Sequence, residues 1–103
     1  MKGQVGMATY VSLLKFTEQG VKKLKDTCKR AADFKESARK LGLEVKEQYW
    51  CMGRYDGLIV FEAPDDDAAT GGMLALSSQD NVTTQTLRCF TAVEMGKIIG
   101  KLA

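Results

Sequence analysis

The chain has no histidine among its 103 residues. Histidine is the usual general base near neutral pH and the commonest protein ligand for transition metals. Its absence excludes a Ser-His-Asp triad, a histidine-bound zinc site and a histidine-ligated haem. We therefore expect no metal and no cofactor, and any proton transfer would depend on carboxylates or tyrosines.

Other features are also scarce. Three cysteines, Cys28, Cys51 and Cys89, are far apart and odd in number, which favours buried free thiols in a reducing compartment over a disulfide framework.

No stretch approaches the roughly 20 apolar residues of a membrane span, and residues 1–10 lack the apolar core of a signal peptide. A net charge of +2 is too small to indicate a nucleic-acid partner. We therefore expect a cytoplasmic protein that binds neither membrane nor nucleic acid.

The composition is that of an ordinary globular domain, with 45% hydrophobic and 27% charged residues. The length suits one domain with a real core but not two. Residues 1–6 are interpreted as a polar lead-in, and residues 7–103 as a single domain.

The residue patterns predict the order β-α-β-β-α-β followed by a C-terminal helix. The first helix is the clearest, because apolar residues recur in steps of three and four between a capping Thr17 and a terminating Gly42. Pro64 and three following aspartates mark the start of a second helix. Strands are predicted over residues 7–16, 43–52, 55–63 and 81–91, and helices over 17–41, 66–78 and 92–103.

This order predicts a ferredoxin-like α+β fold, an antiparallel four-stranded sheet in the order 4-1-3-2 with two helices on one face. Residues 58–61, Leu-Ile-Val-Phe, form an unbroken apolar run, which is typical of a strand buried on both faces. Because two helices cover only one face, we expect a second copy of the chain to cover the other, giving a homodimer.

The stretch WCMGRYDG, residues 50–57, predicts a two-residue turn at Gly53 and Arg54. In that register Trp50 lies opposite Gly57, where the missing side chain leaves room for the indole. Tyr55 is placed on the same face as Trp50. A turn with good packing therefore explains this stretch without any ligand.

Glu47 and Glu62 are predicted to be diagonal neighbours on the other face of the same hairpin. If that face is covered, desolvation and mutual repulsion would raise the pKa of at least one carboxyl, making a proton shuttle. The alternative is that these glutamates pair with a basic side chain such as Arg88, or face solvent.

Three segments, residues 9–26, 48–66 and 81–91, resemble the GYD family of small uncharacterised prokaryotic proteins. Gly53, Tyr55 and Asp56 match the Gly-x-Tyr-Asp pattern of the family name. The resemblance implies the dimeric α+β barrel fold and implies no particular activity. Related barrels include cofactor-independent monooxygenases, muconolactone-isomerase-like enzymes and ligand-sensing domains, and one fold hosts many chemistries.

Three classes of function remain open. The favoured one is a homodimeric module that binds a small organic ligand at the sheet face or in the cleft between sheet and helices. The second is a cofactor-independent isomerase- or monooxygenase-like enzyme, and the third is a structural or protein-interaction module. The candidate ligand-binding residues are Tyr10, Trp50, Tyr55, Phe61 and Arg88, and the candidate catalytic residues are Tyr55, Asp56 and Glu62.

Overall fold

A computed structural model describes residues 6–102, so all but the last residue of the predicted lead-in lies outside the described part. The predicted elements are present in the predicted order, and none of the described helices is long and apolar enough to cross a membrane. The strands are β1 (Ala8–Phe16), β2 (Glu44–Trp50), β3 (Gly57–Ala63) and β4 (Val82–Cys89), and the helices are α1 (Glu18–Lys22), α2 (Thr27–Lys40), α3 (Asp66–Ser77) and α4 (Ala92–Gly100).

The four strands form one antiparallel sheet in the order β2-β3-β1-β4. Read from the other edge this is the predicted order, with β1 and β3 in the centre. Alternate residues of β1 and β3 point toward α2 and α3, where Tyr10, Ile59 and Phe61 join Phe34 and Met73 in the core. The fold is therefore an α+β fold with its helices on one side of the sheet.

The predicted first helix is divided in the structure. Helix α1 ends at Lys22, a 3-10 turn covers Leu24–Asp26, and α2 begins afterwards. A Cβ atom added at Gly20 would lie 2.1 Å from the carbonyl oxygen of Asn81, so α1 is held closely against the loop before β4. Because α2 instead follows the sheet, the chain changes direction between the two helices.

The end of α2 follows the prediction. Gly42 has a φ of +85°, a left-handed conformation that costs glycine little. The Leu43 amide donates to the Ala38 carbonyl and the Gly42 amide to the Arg39 carbonyl. These two bonds are the pattern of a Schellman motif, which satisfies carbonyls left free at a helix end.

The hairpin between β2 and β3 differs from its prediction in two ways. Trp50 does pair with Gly57, but the connection runs over residues 51–56 instead of two residues. A bulge between Val45 and Glu47 also shifts the register, so Glu62 lies opposite Glu44 and not opposite Val45. Val45 consequently joins the core, because a one-residue shift moves a side chain to the other face of the sheet.

Gly57 is required for a different reason than the one expected. A Cβ atom there would lie 2.9 Å from the carbonyl oxygen of Tyr49. The crowded neighbour is thus the backbone of β2 and not the indole ring of Trp50.

The face of the sheet away from the helices has no covering element among the described residues, and we call it the open face. Its central residues are only partly buried, and at the β4 edge Leu87 is 44% exposed. The apolar side chains of the open face are Val11, Leu13, Leu58, Val60 and Leu87.

Candidate functional site

The five predicted ligand-binding residues lie in three separate places. Tyr10, Phe61 and Arg88 are close together on the helix side of the sheet. Trp50 is also on the helix side but lines another cleft, next to α2. Tyr55 is on the open face, so the prediction that it shares a face with Trp50 is wrong. The cause is the longer hairpin connection, which frees Tyr55 from the strand ladder.

A large cavity lies between α3 and β4, and we call it the α3–β4 groove. Its volume is about 410 Å³, within the roughly 300–1,000 Å³ common for small-molecule sites. It has an apolar wall from α3 and a row of hydroxyls and one cation from β4. The lining residues are Tyr10, Asp66, Ala69, Thr70, Met73, Leu74, Thr84, Thr86 and Arg88.

Tyr10 forms the floor of the groove and is held firmly. Only 3% of it is exposed, and its ring stacks on Phe61 with 5.3 Å between ring centroids. Its hydroxyl donates a 2.6 Å hydrogen bond to Oδ1 of Asp66, in the first turn of α3. Burial first, and then this bond, raise the pKa of Tyr10 to about 12. The phenol therefore keeps its proton.

Arg88 supplies the positive charge at the groove. Its guanidinium carbon lies 4.3 Å from the ring centroid of Phe90 and 5.6 Å from that of Tyr10, and one nitrogen donates to the Cys89 carbonyl. Among residues 6–102 no carboxylate forms an ion pair with it. The guanidinium is therefore oriented by aromatic rings, while its charge is not neutralised.

The Trp50 cleft is much smaller, with a volume of about 70 Å³. The indole Nε1 donates to the Thr27 hydroxyl at 3.0 Å, and Gln48 donates to the Ala31 carbonyl at 3.0 Å. Both bonds tie β2 to α2. Trp50 thus fastens a helix to the sheet and borders a space too small for a drug-sized ligand.

Asp56 and Tyr55, neighbours in sequence, serve different parts of the structure. The Asp56 carboxylate accepts a 2.8 Å hydrogen bond from the Phe16 amide, and its own amide donates to the Leu14 carbonyl. The Tyr55 hydroxyl donates to Gln85 at 2.8 Å across the open face. Asp56 therefore joins the hairpin connection to the end of β1.

The third candidate catalytic residue, Glu62, is also on the open face. It pairs across the ladder with Thr9, whereas Gln85, which holds Tyr55, pairs with Leu13. Four residues of strand, about 13 Å, separate these two positions. The structure therefore does not bring Tyr55, Asp56 and Glu62 together.

Glu47 pairs with Val60, two residues before Glu62 on β3, so the prediction that the two glutamates are diagonal neighbours on one face is confirmed. Arg88 is on the helix side, so it does not neutralise Glu62 as the alternative interpretation suggested. Glu47 accepts a hydrogen bond from the Tyr49 hydroxyl at 3.1 Å, and that bond is the main reason why the pKa of Tyr49 is raised. Oε1 of Glu62 is buried and has no hydrogen-bond partner among the described residues.

Sequence reasoning named Arg88 but missed the other residues that β4 and α3 add to the groove. Thr84, Thr86 and Arg88 are spaced two apart, which puts them on one face of a strand, so the signal was present. Asp66 was interpreted only as a favourable charge at a helix start. Asp65 in fact caps the helix, which leaves Asp66 free to bind Tyr10.

Neither the thiols nor the acidic residues form a metal site within residues 6–102, where no three potential ligands come together. The expectation of buried thiols is wrong for Cys28, which is exposed, while Cys51 and Cys89 are partly buried.

The fold is an α+β fold with helices on one face of the sheet and, among residues 6–102, no element on the other face. A model of the GYD domain matches residues 10–99, and the chain belongs to the GYD domain family. The "Glutamine synthetase and cystathionine beta-lyase binding protein" of Thermus thermophilus is 32% identical over 97 residues, which are 93% of this chain and 99% of that protein.

A solved structure shares the fold. The crystal structure of MtbAldR (Rv2779c) superposes with a TM-score of 0.61 at 15% sequence identity, covering 84% of this chain. The chain spans 55% of that longer chain. At this level of identity the likeness supports the fold and nothing more specific.

Proposed function

We propose that this protein is a homodimeric binding module of the ferredoxin-like, dimeric α+β barrel type. The open face carries the proposal, because an apolar sheet face rarely stays in water on a stable chain. Val60 and Val11 pair at its centre, on the two central strands. A second copy of the same face would cover them by a symmetric contact.

Sedimentation velocity at micromolar concentration tests the dimer. Val60→Lys puts a charge at the centre of the open face and should give a monomer. Val21→Lys is the matched control, because Val21 lies on α1 and is already 57% exposed. The proposal would be contradicted if the wild type is a monomer, or if Val60→Lys forms a dimer with the same dissociation constant as the wild type.

The α3–β4 groove is the proposed ligand site. Arg88 offers a guanidinium that pairs with no carboxylate among residues 6–102 and is suited to a carboxylate ligand. The threonine hydroxyls offer further hydrogen bonds, and Met73 and Leu74 offer an apolar wall. This combination fits a small organic acid with an apolar body. The family membership and the name of the relative support a binding role but do not identify a ligand.

Native mass spectrometry of protein purified from its own cells would detect a retained ligand, and calorimetric titration with a panel of small aliphatic and aromatic carboxylic acids would measure affinity. Arg88→Gln should weaken binding at least tenfold, whereas Arg54→Gln, at the far end of the open face, should leave it unchanged. Equal affinity in Arg88→Gln would exclude this groove.

A second candidate function is protein binding, favoured by the relative that is named as a binding protein of two enzymes. Affinity purification from the same cells, followed by identification of bound proteins, separates the two candidates. An enzyme recovered in a stoichiometric complex that survives Arg88→Gln would favour protein binding over the small acid.

A further inference from the structure

Helix α4 is the part of the described chain least attached to the rest. Its apolar residues Met95, Ile98 and Ile99, with Leu102 just after its end, follow one another at helical spacing, yet each is between 40% and 75% exposed. The helix makes few contacts with other elements. The described chain is also extended, with a longest dimension of 52 Å and a radius of gyration of 15.0 Å, against about 13 Å for a compact chain of this length.

A helix of nine residues is too short to be stable alone, since isolated helices need roughly 12–15 residues. The Thr91–Glu94 capping box contributes only about 1 kcal/mol. The sequence nevertheless gives α4 a regular apolar stripe, which is typical of a helix that packs against another surface. That surface is absent from the contacts within the described chain.

We infer that α4 packs on a second copy of this chain, at the β2 edge of its open face. This inference rests on the proposed homodimer and specifies its geometry. Four strands at about 4.8 Å spacing and about eight residues at 3.4 Å give the open face a planar area of roughly 500 Å². Stable interfaces bury about 800 Å² per partner, so the sheet alone falls short and the stripe of α4 supplies further apolar area.

The register of the sheet determines where α4 begins. Cys89 at the end of β4 pairs with Thr9, Thr9 pairs with Glu62, and Glu62 pairs with Glu44. These four residues form one row across the sheet, from the β4 edge to the β2 edge. Helix α4 therefore leaves the sheet at the end where the carboxylates of the open face are found.

Two copies can stack open face on open face around a two-fold axis that runs parallel to the strands. This axis places the same ends of the two sheets together and sets the β4 edge of one sheet over the β2 edge of the other. Each β4 then lies over β2 of the second copy, and α4 reaches the end that holds Glu44 and Glu62. An axis perpendicular to the strands would instead place α4 beside β4 of the second copy, a strand without any carboxylate. Charge favours the parallel axis, because α4 carries Lys97 and is followed by Lys101.

The charges on the two surfaces are complementary. Lys97 and Lys101 are exposed, and neither forms an ion pair with another residue among those that the structure describes. The only acidic residue of α4, Glu94, is occupied in its capping box. On the β2 side, Glu47 is exposed and Glu62 has a buried oxygen without a hydrogen-bond partner among residues 6–102. Glu44 at this edge already pairs with Lys46 at 3.5 Å. An approaching lysine would therefore meet the carboxylates of Glu47 and Glu62, which form no ion pair among residues 6–102.

Sedimentation equilibrium of full-length variants tests this arrangement. Ile98→Ser combined with Ile99→Ser should raise the dimer dissociation constant at least tenfold. Val93→Ser is the matched control, since Val93 is 70% exposed and lies on the opposite side of the helix, and it should change nothing. Because α4 is exposed, circular dichroism should show the rest of the fold intact in every variant.

A charge exchange tests the position of α4. Lys101→Glu and Glu47→Lys should each weaken the dimer several-fold at low salt, and the two together should restore it. Two results would overturn the inference and leave the proposed dimer standing. In the first, the Ile98/Ile99 change leaves the dimer dissociation constant as in the wild type. In the second, the double charge variant forms a weaker dimer than either single variant. A wild-type monomer overturns both.

Discussion

Tyr10 shows how burial and one hydrogen bond fix the charge state of a side chain. Its pKa rises from 10.0 to about 12, through burial first and then the bond to Asp66. A raised pKa means that the folded state favours the protonated phenol. The resulting stabilisation is complete below pH 10 and is lost as the pH rises through about 12.

We therefore expect a tyrosinate absorbance titration of the folded protein to contain one step near pH 12. Tyr10→Phe should remove that step and flatten the loss of stability between pH 10 and 12, while Tyr55→Phe should leave the step in place. A step that survives in Tyr10→Phe would show that the groove floor is not closed as described.

Asp56 gives a second prediction for a single residue. Because its carboxylate accepts the Phe16 amide at 2.8 Å, Asp56→Ala should lower the free energy of unfolding by about 1.5–3 kcal/mol, the range for a hydrogen bond to a charged group. Asp56→Asn keeps an acceptor oxygen and should cost less. Urea denaturation measures the free energy of unfolding of both variants. Tyr55→Phe is the control: its hydrogen bond crosses an exposed surface, so its free energy of unfolding should stay within about 1 kcal/mol of the wild type.

The role of Asp56 was foreseeable from sequence, whereas the side on which Tyr55 lies was not. An aspartate directly after a turn usually binds backbone, and that holds whatever the turn length is. The face of Tyr55 depends on the number of residues that leave the ladder, because each extra residue turns the next side chain to the other face. A glycine at position 53 is compatible with both connection lengths.

At the scale of elements, the two adjacent glycines of α3 should respond in opposite directions to the same substitution. A Cβ atom at Gly72 would lie 2.3 Å from Cδ2 of Leu43, whereas one at Gly71 would meet nothing within 4 Å. Leu43 is 2% exposed, so it has no room to move away. Gly72 is thus the point where α3 comes close to the start of β2.

Gly72→Ala should therefore destabilise the protein by about 1–3 kcal/mol through overpacking. Gly71→Ala should stabilise it by up to about 1 kcal/mol, the helix-propensity difference between the two residues. Differential scanning calorimetry of the two variants measures both changes. Equal effects of the two substitutions would contradict the packing of α3 on Leu43.

The sequence predicts the elements better than their interruptions. Apolar periodicity and capping residues indicated the strands, α2 and α3, because these signals are local. The break after Lys22 and the bulge before Glu47 depend on contacts with distant segments, the Asn81 loop and β3. The close approach of Gly72 to Leu43 likewise depends on a segment that is distant in the sequence.

At the scale of the whole molecule, the apolar open face and the exposed stripe of α4 are the two surfaces that the proposed dimer would cover. The sheet order could be predicted because the β-α-β-β-α-β order allows few arrangements. The groove could be predicted only in part. Tyr10, Phe61 and Arg88 were named from their chemistry, but their assembly with Asp66 and the threonines depends on the register of β1 with β4.

A dimer held by the open face should make thermal stability depend on protein concentration, because association stabilises the folded chains by mass action. We expect the melting temperature of the wild type to rise by several degrees between low and high micromolar concentration. Val60→Lys, which charges the centre of the open face, should melt at one temperature whatever the concentration. Val21→Lys should retain the wild-type dependence. A concentration-independent wild type would show that the open face of the folded chain remains in water, and α4 would then need a different explanation.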